Sequence, residues 1–204
     1  MSSNDGEIFE WKIIDKRQKS AGDWPGEPQE SGNPRFRLAV LVSGSGSNLQ
    51  ALIDAIESKE LPGVEIALVV SNNIDAYGLE RAHKHSLQSM YLPWKHREES
   101  EAKLTTWLQL FHVDLIVLAG WMRILSANFL AQFPRRVINI HPALIPDDGT
   151  GSTVHFVTPE VDAGPVICRE EVAIQEGDTE ESLHERLKAL EHRLIVKAVR
   201  KLAS

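Results

Sequence analysis

Four short runs of branched apolar residues constrain this chain more than anything else in it: Leu38 to Val42, Val64 to Val70, Val113 to Ala119 and Val137 to Ile140. A strand wetted on one face alternates apolar and polar residues, whereas continuous Val, Leu and Ile suit strands covered on both faces of a parallel sheet. Between the runs the period changes. Leu104, Trp107, Leu108 and Phe111 recur at i, i+3, i+4 and i+7, which gives a helix over this stretch one apolar face. Near the C-terminus Leu183, Leu187, Leu190 and Leu194 form a second stripe, and Asp178 followed three residues later by Glu181 predicts a capping box at its start. Strands alternating with helices predict an α/β fold, a doubly wound and mostly parallel sheet with flanking helices and right-handed crossovers. Thr153 to Val157 and Val166 to Ile174, joined by Thr158 to Pro165, predict a late antiparallel strand pair.

Residues 1–34 read differently. Their Gly-Asp-Trp-Pro-Gly-Glu-Pro and Ser-Gly-Asn-Pro clusters cannot sustain a helix or a central strand, which predicts a polar tail or linker ahead of one domain over 35–204. Only Ile8 to Ile14 has the makings of an edge strand. With 204 residues, 42% of them hydrophobic, the chain can bury a sizeable core. A net charge of -7 and a pI near 5.6 argue against nucleic acid as a partner. The single Cys168 excludes an internal disulfide, and its setting between Ile167 and Arg169 reads as a packing thiol in a strand. No signal core and no membrane-length apolar run is evident, so a cytoplasmic location without membrane contact is expected. The eight histidines show no ligand spacing, and no metal is expected.

Three constellations carry the chemistry. Ser43-Gly44-Ser45-Gly46-Ser47-Asn48 follows the first strand and precedes the helical Leu49-Gln50-Ala51-Leu52-Ile53. Glycines admit close backbone approach and a helix start offers free amides to an anion. A dinucleotide site is disfavoured, because Leu49 stands where a third glycine belongs and the second strand ends in Ser71-Asn72-Asn73 rather than an acidic ribose clamp. A monophosphate cradle and a tight capped turn remain. In the second constellation, Asn139 and His141 share one face of a strand that Pro142 stops. An amide beside an imidazole is what a developing oxyanion needs. Asp162, in the loop 159–165, is either their carboxylate partner or an ordinary turn residue before Gly164-Pro165. Third, Gly120-Trp121-Met122-Arg123-Ile124-Leu125 is either a slot for a flat ring or a plain strand-to-helix turn.

Taken in order, these blocks resemble the phosphoribosylglycinamide formyltransferase family. The resemblance covers about Leu38 to the C-terminus. It rests on Val42 to Ala51, Val70-Ser71-Asn72 with Ala76 to Ala82, Ala119 to Ser126, Asn139 to Pro146, Thr153 to Thr158, Asp162 to Ile167 and Glu191-His192. It implies a Rossmann-like formyltransferase fold and transfer of a formyl group from 10-formyltetrahydrofolate, a co-substrate, to the amine of glycinamide ribonucleotide in purine biosynthesis. It also implies roles. Gly44, Ser45, Gly46, Ser47 and Asn48 would hold the phosphate, Arg81 would lie near the nucleotide, and Glu191 would contact its glycinamide and ribose end. Met122, Arg123, Ile124, Leu125, Val161 and Ala163 would hold the folate, and Asn139, His141 and Asp162 would be the catalytic trio. The partners would be those two small molecules, with the chain a monomer or homodimer.

One departure stands out. The family carries roughly twenty residues between the positions of Pro146 and Gly151, a length that suggests a lid; here Asp147-Asp148-Gly149-Thr150 makes the whole connection. A naturally short loop, a segment missing from this sequence and an inactive ligand-binding relative are the alternatives. Smaller departures are Ser45, Ala163 and Leu194-Ile195-Val196. A deformylase-like hydrolase is the other enzymatic reading, although that family adds an N-terminal domain that residues 1–34 are too few to make.

Overall fold

The computed structural model describes residues 35–145 and 149–204; the expected tail over 1–34 and its Ile8–Ile14 segment lie outside the described residues. The chain runs β1 (Phe36–Val42), α1 (Ser47–Glu57), β2 (Val64–Ser71), α2 (Tyr77–Lys84), β3 (Ser89–Tyr91), α3 (Arg97–Leu110), β4 (Leu115–Leu118), α4 (Ala127–Gln132), β5 (Val137–Ile145), β6 (Gly149–Phe156), β7 (Val166–Ala173) and α5 (Glu180–Ala203). Among the described residues the strands form one seven-stranded sheet in the order β3-β2-β1-β4-β5-β6-β7. Pairing is parallel from β3 through β5. It turns antiparallel at β5–β6 and stays so at β6–β7. The chain lays β2 and β3 to one side of β1 and then crosses to β4 on the other. The carboxyl ends of β1 and β4 therefore flank the switch point where an open α/β sheet leaves a crevice.

The apolar runs have the predicted cause. Leu38, Val40 and Val42 of β1 face a cluster with Leu49, Leu52 and Ile53 of α1 and Leu194, Ile195 and Val199 of α5. Ala39 and Leu41, pointing the other way, face Leu104, Trp107 and Leu108 of α3 and Phe129 of α4. All five β1 residues are fully buried, so neither face can accept a polar side chain without leaving it unpaired.

Three details differ from expectation. β5 does not stop at Pro142 but continues to Ile145, pairing Pro142 with Ser152. β4 leaves β5 at Asn139, so the far end of β5 has an unclaimed hydrogen-bonding edge where a proline is tolerated. The cap of α5 is Thr179, whose hydroxyl accepts from the Ser182 amide while the Ser182 hydroxyl accepts from the Thr179 amide. Asp178 instead accepts from the Gln175 amide and the Ser182 hydroxyl and pairs with Arg186. β3 was not anticipated, since three residues are too few to show a period.

On α5 only the second half of the leucine stripe enters the core: Leu190 and Leu194 are buried while Leu183 and Leu187 are half-buried. Leu194→Ala is expected to cost about 2–5 kcal/mol of stability by leaving a cavity under the helix. Chemical denaturation of the two proteins checks this.

Candidate active site

The glycine loop leaves β1 at the switch point. Gly46 is the N-cap of α1, in the left-handed region at φ 68°, with no side chain capping the helix and no acidic residue in its first turn. The first amides of α1 are thus left for an anion. A Cβ on Gly46 would lie 2.7 Å from the Cα of Gly78, so the loop packs directly on the start of α2. Arg81 braces it from behind. Its Nε donates to the Ser45 carbonyl at 2.8 Å, its Nη1 donates to Gln50, and its guanidinium lies over the Tyr77 ring.

In front of the loop lies a cavity of about 520 Å³, lined by residues 43–48, Gly120, Met122 and Pro142 and, from α5, by His184, Leu187, Lys188 and Glu191. Glu191 accepts from Asn48 Nδ2 at 3.2 Å and from the buried Ser152 hydroxyl at 3.4 Å, which fixes its carboxylate at the cavity wall. Next to it, burial lowers the pKa of His192 below 6.5, an effect the nearby Lys188 charge reinforces.

A second cavity of about 200 Å³ lies along the segment after β4, lined by Trp121, Arg123, Ile124 and Leu125, by Asn139 and His155, and by Val157, Val161 and Asp162. Its walls are mainly apolar with a few polar groups, which suits a flat ring system. Both cavities border the same two pieces of chain, the 118–125 segment and the end of β5.

At the second cavity, Asp162 lies between two imidazoles, of which His155 lines that cavity and His141 lines neither. Its Oδ1 is 3.7 Å from His141 Nδ1 and 3.5 Å from His155 Nε2, and the two rings meet edge to face at 5.1 Å. These separations are longer than hydrogen bonds, and catalytic contacts in ligand-free sites commonly tighten on binding. His155 is buried, and its Nδ1 donates to the Phe156 carbonyl at 2.9 Å, so Nε2 is the atom turned to Asp162. Asp162 reaches this place because the loop folds back on β6. Phe156 N–H donates to the Pro165 carbonyl, and a Cβ on Gly164 would sit 1.6 Å from the Phe156 carbonyl oxygen, so that position admits glycine alone. His141, His155 and Asp162 also offer three possible metal ligands within 4.8 Å of one another, a grouping that sequence spacing did not reveal.

The structure therefore gathers the glycine loop with Glu191, and Asp162 with His141. Asn139 lines the second cavity beside His155, its cross-strand partner. Arg81 bonds the back of the glycine loop, His141 and Ala163 line neither cavity, and Met122 faces the first cavity rather than the second. His155, Ser152, His184 and Lys188 were missed. The last two lie seven and three residues before Glu191 on the same helix face, a spacing that was open to reading. His155 carried a weaker signal, a lone imidazole between Val154 and Phe156.

A family model described as formyl transferase matches residues 36–147 and 147–199. The chain belongs to the formyl transferase family. Its two matched stretches meet at residue 147, within the short connection. The trifunctional purine biosynthetic protein adenosine-3 of Drosophila pseudoobscura pseudoobscura is 43% identical over 190 residues, taking in 84% of this chain and 14% of that protein. The phosphoribosylglycinamide formyltransferase of Escherichia coli (strain K12) is 38% identical over 175 residues, 77% of this chain and 82% of its own length. Among solved structures, glycinamide ribonucleotide transformylase 1 from Symbiobacterium toebii superposes with a TM-score of 0.78 at 38% identity, covering 88% of this chain and 93% of that one. The chain thus spans a small part of the trifunctional relatives' length and most of that of the bacterial ones. Among its described residues no helix is long and apolar enough to cross a membrane.

Gly164→Ala should push the 159–165 loop away from β6 and cost about 1–3 kcal/mol. Thermal unfolding should show a lower Tm, and a variant with unchanged Tm would refute the fold-back account of Asp162.

Proposed function

We propose that this chain transfers the formyl group of 10-formyltetrahydrofolate to the amine of glycinamide ribonucleotide, a step of purine biosynthesis. The observation that carries the reading is an anion-suited cavity and a ring-suited cavity bordering the same two pieces of chain, with Asp162 and Asn139 in the wall of the second and His141 beside Asp162. The names and high coverage of the bacterial relatives support it. On this reading Gly44, Ser45, Gly46, Ser47 and Asn48 hold the phosphate, and Glu191 holds the glycinamide and ribose end. Arg123, Ile124, Leu125 and Val161 receive the pterin. The partners are small molecules in the cytoplasm.

The neutral amine of the nucleotide attacks the formyl carbon, and a tetrahedral intermediate forms with negative oxygen and positive nitrogen. Asn139 and protonated His141 stabilise that oxygen, each a donor where charge develops. Asp162 supports the His141 cation and takes the proton from the attacking nitrogen, directly or through water. The oxyanion then re-forms the carbonyl as the bond from carbon to N10 breaks, N10 takes up the proton that Asp162 removed from the amine, and the formylated nucleotide and tetrahydrofolate leave. Holding both substrates against one another supplies much of the remaining rate. Three protein groups suffice, and none forms a covalent bond.

The test is consumption of 10-formyltetrahydrofolate with and without glycinamide ribonucleotide. Consumption only with the nucleotide supports transfer, consumption in either case indicates hydrolysis to formate, and binding without turnover indicates an inactive relative. His141→Ala and Asp162→Asn should each lower kcat by about 100-fold or more while circular dichroism stays native. Near-normal rates in either variant would remove that residue from the mechanism.

A further inference from the structure

Ser43 lines the first cavity at the start of its loop, and its side chain joins three parts of the crevice. Its hydroxyl donates to Asn72 Oδ1 at the end of β2, at 2.5 Å, and accepts from the Met122 amide at 2.8 Å. Its own amide donates to the Gly120 carbonyl at 3.2 Å, and its carbonyl accepts from Asn73 Nδ2. Ser43 is the first residue beyond β1, immediately before Gly44 of the phosphate loop. One hydroxyl therefore links the start of the nucleotide loop to a segment shared by both cavities, in which Met122 faces the first and its neighbours Trp121 and Arg123 line the second. Because its proton is committed to Asn72, a lone pair is left facing the Met122 N–H, and the direction of the link is set.

The far end of that segment is held as firmly. The buried Glu101 of α3 accepts from the Ser126 amide at 2.6 Å and from its hydroxyl at 2.5 Å, while the same hydroxyl accepts from Phe129 N–H and caps α4. Trp121 and Leu125 are buried, with Trp121 edge-on to Trp94, whereas Met122 and Ile124 stand 75% and 66% exposed. The segment is a short wall with buried feet and an apolar top, tied to α3 at one end and to Ser43 at the other.

We infer that Ser43 is a positioning residue that registers the formyl-donor wall against the nucleotide loop, through its bond to the Met122 amide. The inference rests on the proposed transfer reaction, in which two substrates must meet within a near-attack distance. The glycine loop itself has ties that bypass this hydroxyl: Arg81 to the Ser45 carbonyl, Gly78 N–H to the Gly44 carbonyl and Gln50 N–H to the Gly46 carbonyl. Loss of the hydroxyl should thus loosen the donor side and spare the nucleotide side.

Two measurements on the full chain test this. Ser43→Ala should speed hydrogen exchange at the Met122 amide, and Ser43→Thr, which keeps a hydroxyl, should restore protection. In steady-state kinetics Ser43→Ala should raise KM for 10-formyltetrahydrofolate about three- to ten-fold, the worth of one neutral hydrogen bond, with KM for glycinamide ribonucleotide within about twofold. Ser43→Thr should return the donor KM toward that of the parent. Unchanged exchange at Met122, an equal rise in both KM values, or a threonine variant that behaves like alanine would each overturn the assignment. A parent chain that shows the exchange effect but no transfer would overturn the proposed reaction and the donor-side role with it, leaving only a structural bond.

Discussion

The antiparallel pairing of β5 with β6 sets Asn139 opposite His155 and His141 opposite Thr153, and the rest of the candidate site is built outward from that register. A slip of one residue would turn Asn139 and His141 to the other face. Two packing facts hold the register. Ile138 and Ile140 are buried in the core between Asn139 and its neighbours, and Val154 opposite Ile140 is fully buried. From β6 the chain turns through the 159–165 loop, and the absence of a Cβ at Gly164 lets that loop close on Phe156 and carry Asp162 back to both imidazoles.

The same pairing bears on the short connection. The ladder runs on to Ile145 opposite Gly149, which leaves residues 146–148 to join the strands. Two arms of a hairpin need little more than that. The ladder between β5 and β6 is thus continuous up to the short connection.

Much of the architecture was legible. Continuous apolar runs read as doubly covered strands because both faces of β1 are in fact packed by helices, and the Leu104–Phe111 stripe read as a helix because Leu104, Trp107 and Leu108 all enter the core. Legibility failed where local letters had several local solutions. Asp178 and Thr179 are both good caps, and only the docking of Arg186 onto Asp178 and the Thr179–Ser182 exchange decide between them. Pro142 looked like a strand stop because the free edge left by β4 is a property of the sheet. Arg81 looked like a ligand contact because two of its three protein partners, Ser45 and Gln50, come from segments far away in sequence.

The sequence by itself determined the α/β alternation, the phosphate-suited loop after the first strand and the identity of Asn139, His141 and Asp162 as candidates. Those readings follow from side-chain periodicity and from residue chemistry, which are local. Only the tertiary structure decided that Asp162 lies between two histidines rather than beside one, that Glu191 is held by Asn48 and Ser152, and that Ser43 ties one cavity wall to the other loop. Each of these depends on strand order and register across tens of residues, where contacts a few ångströms long are set by the packing of the whole sheet.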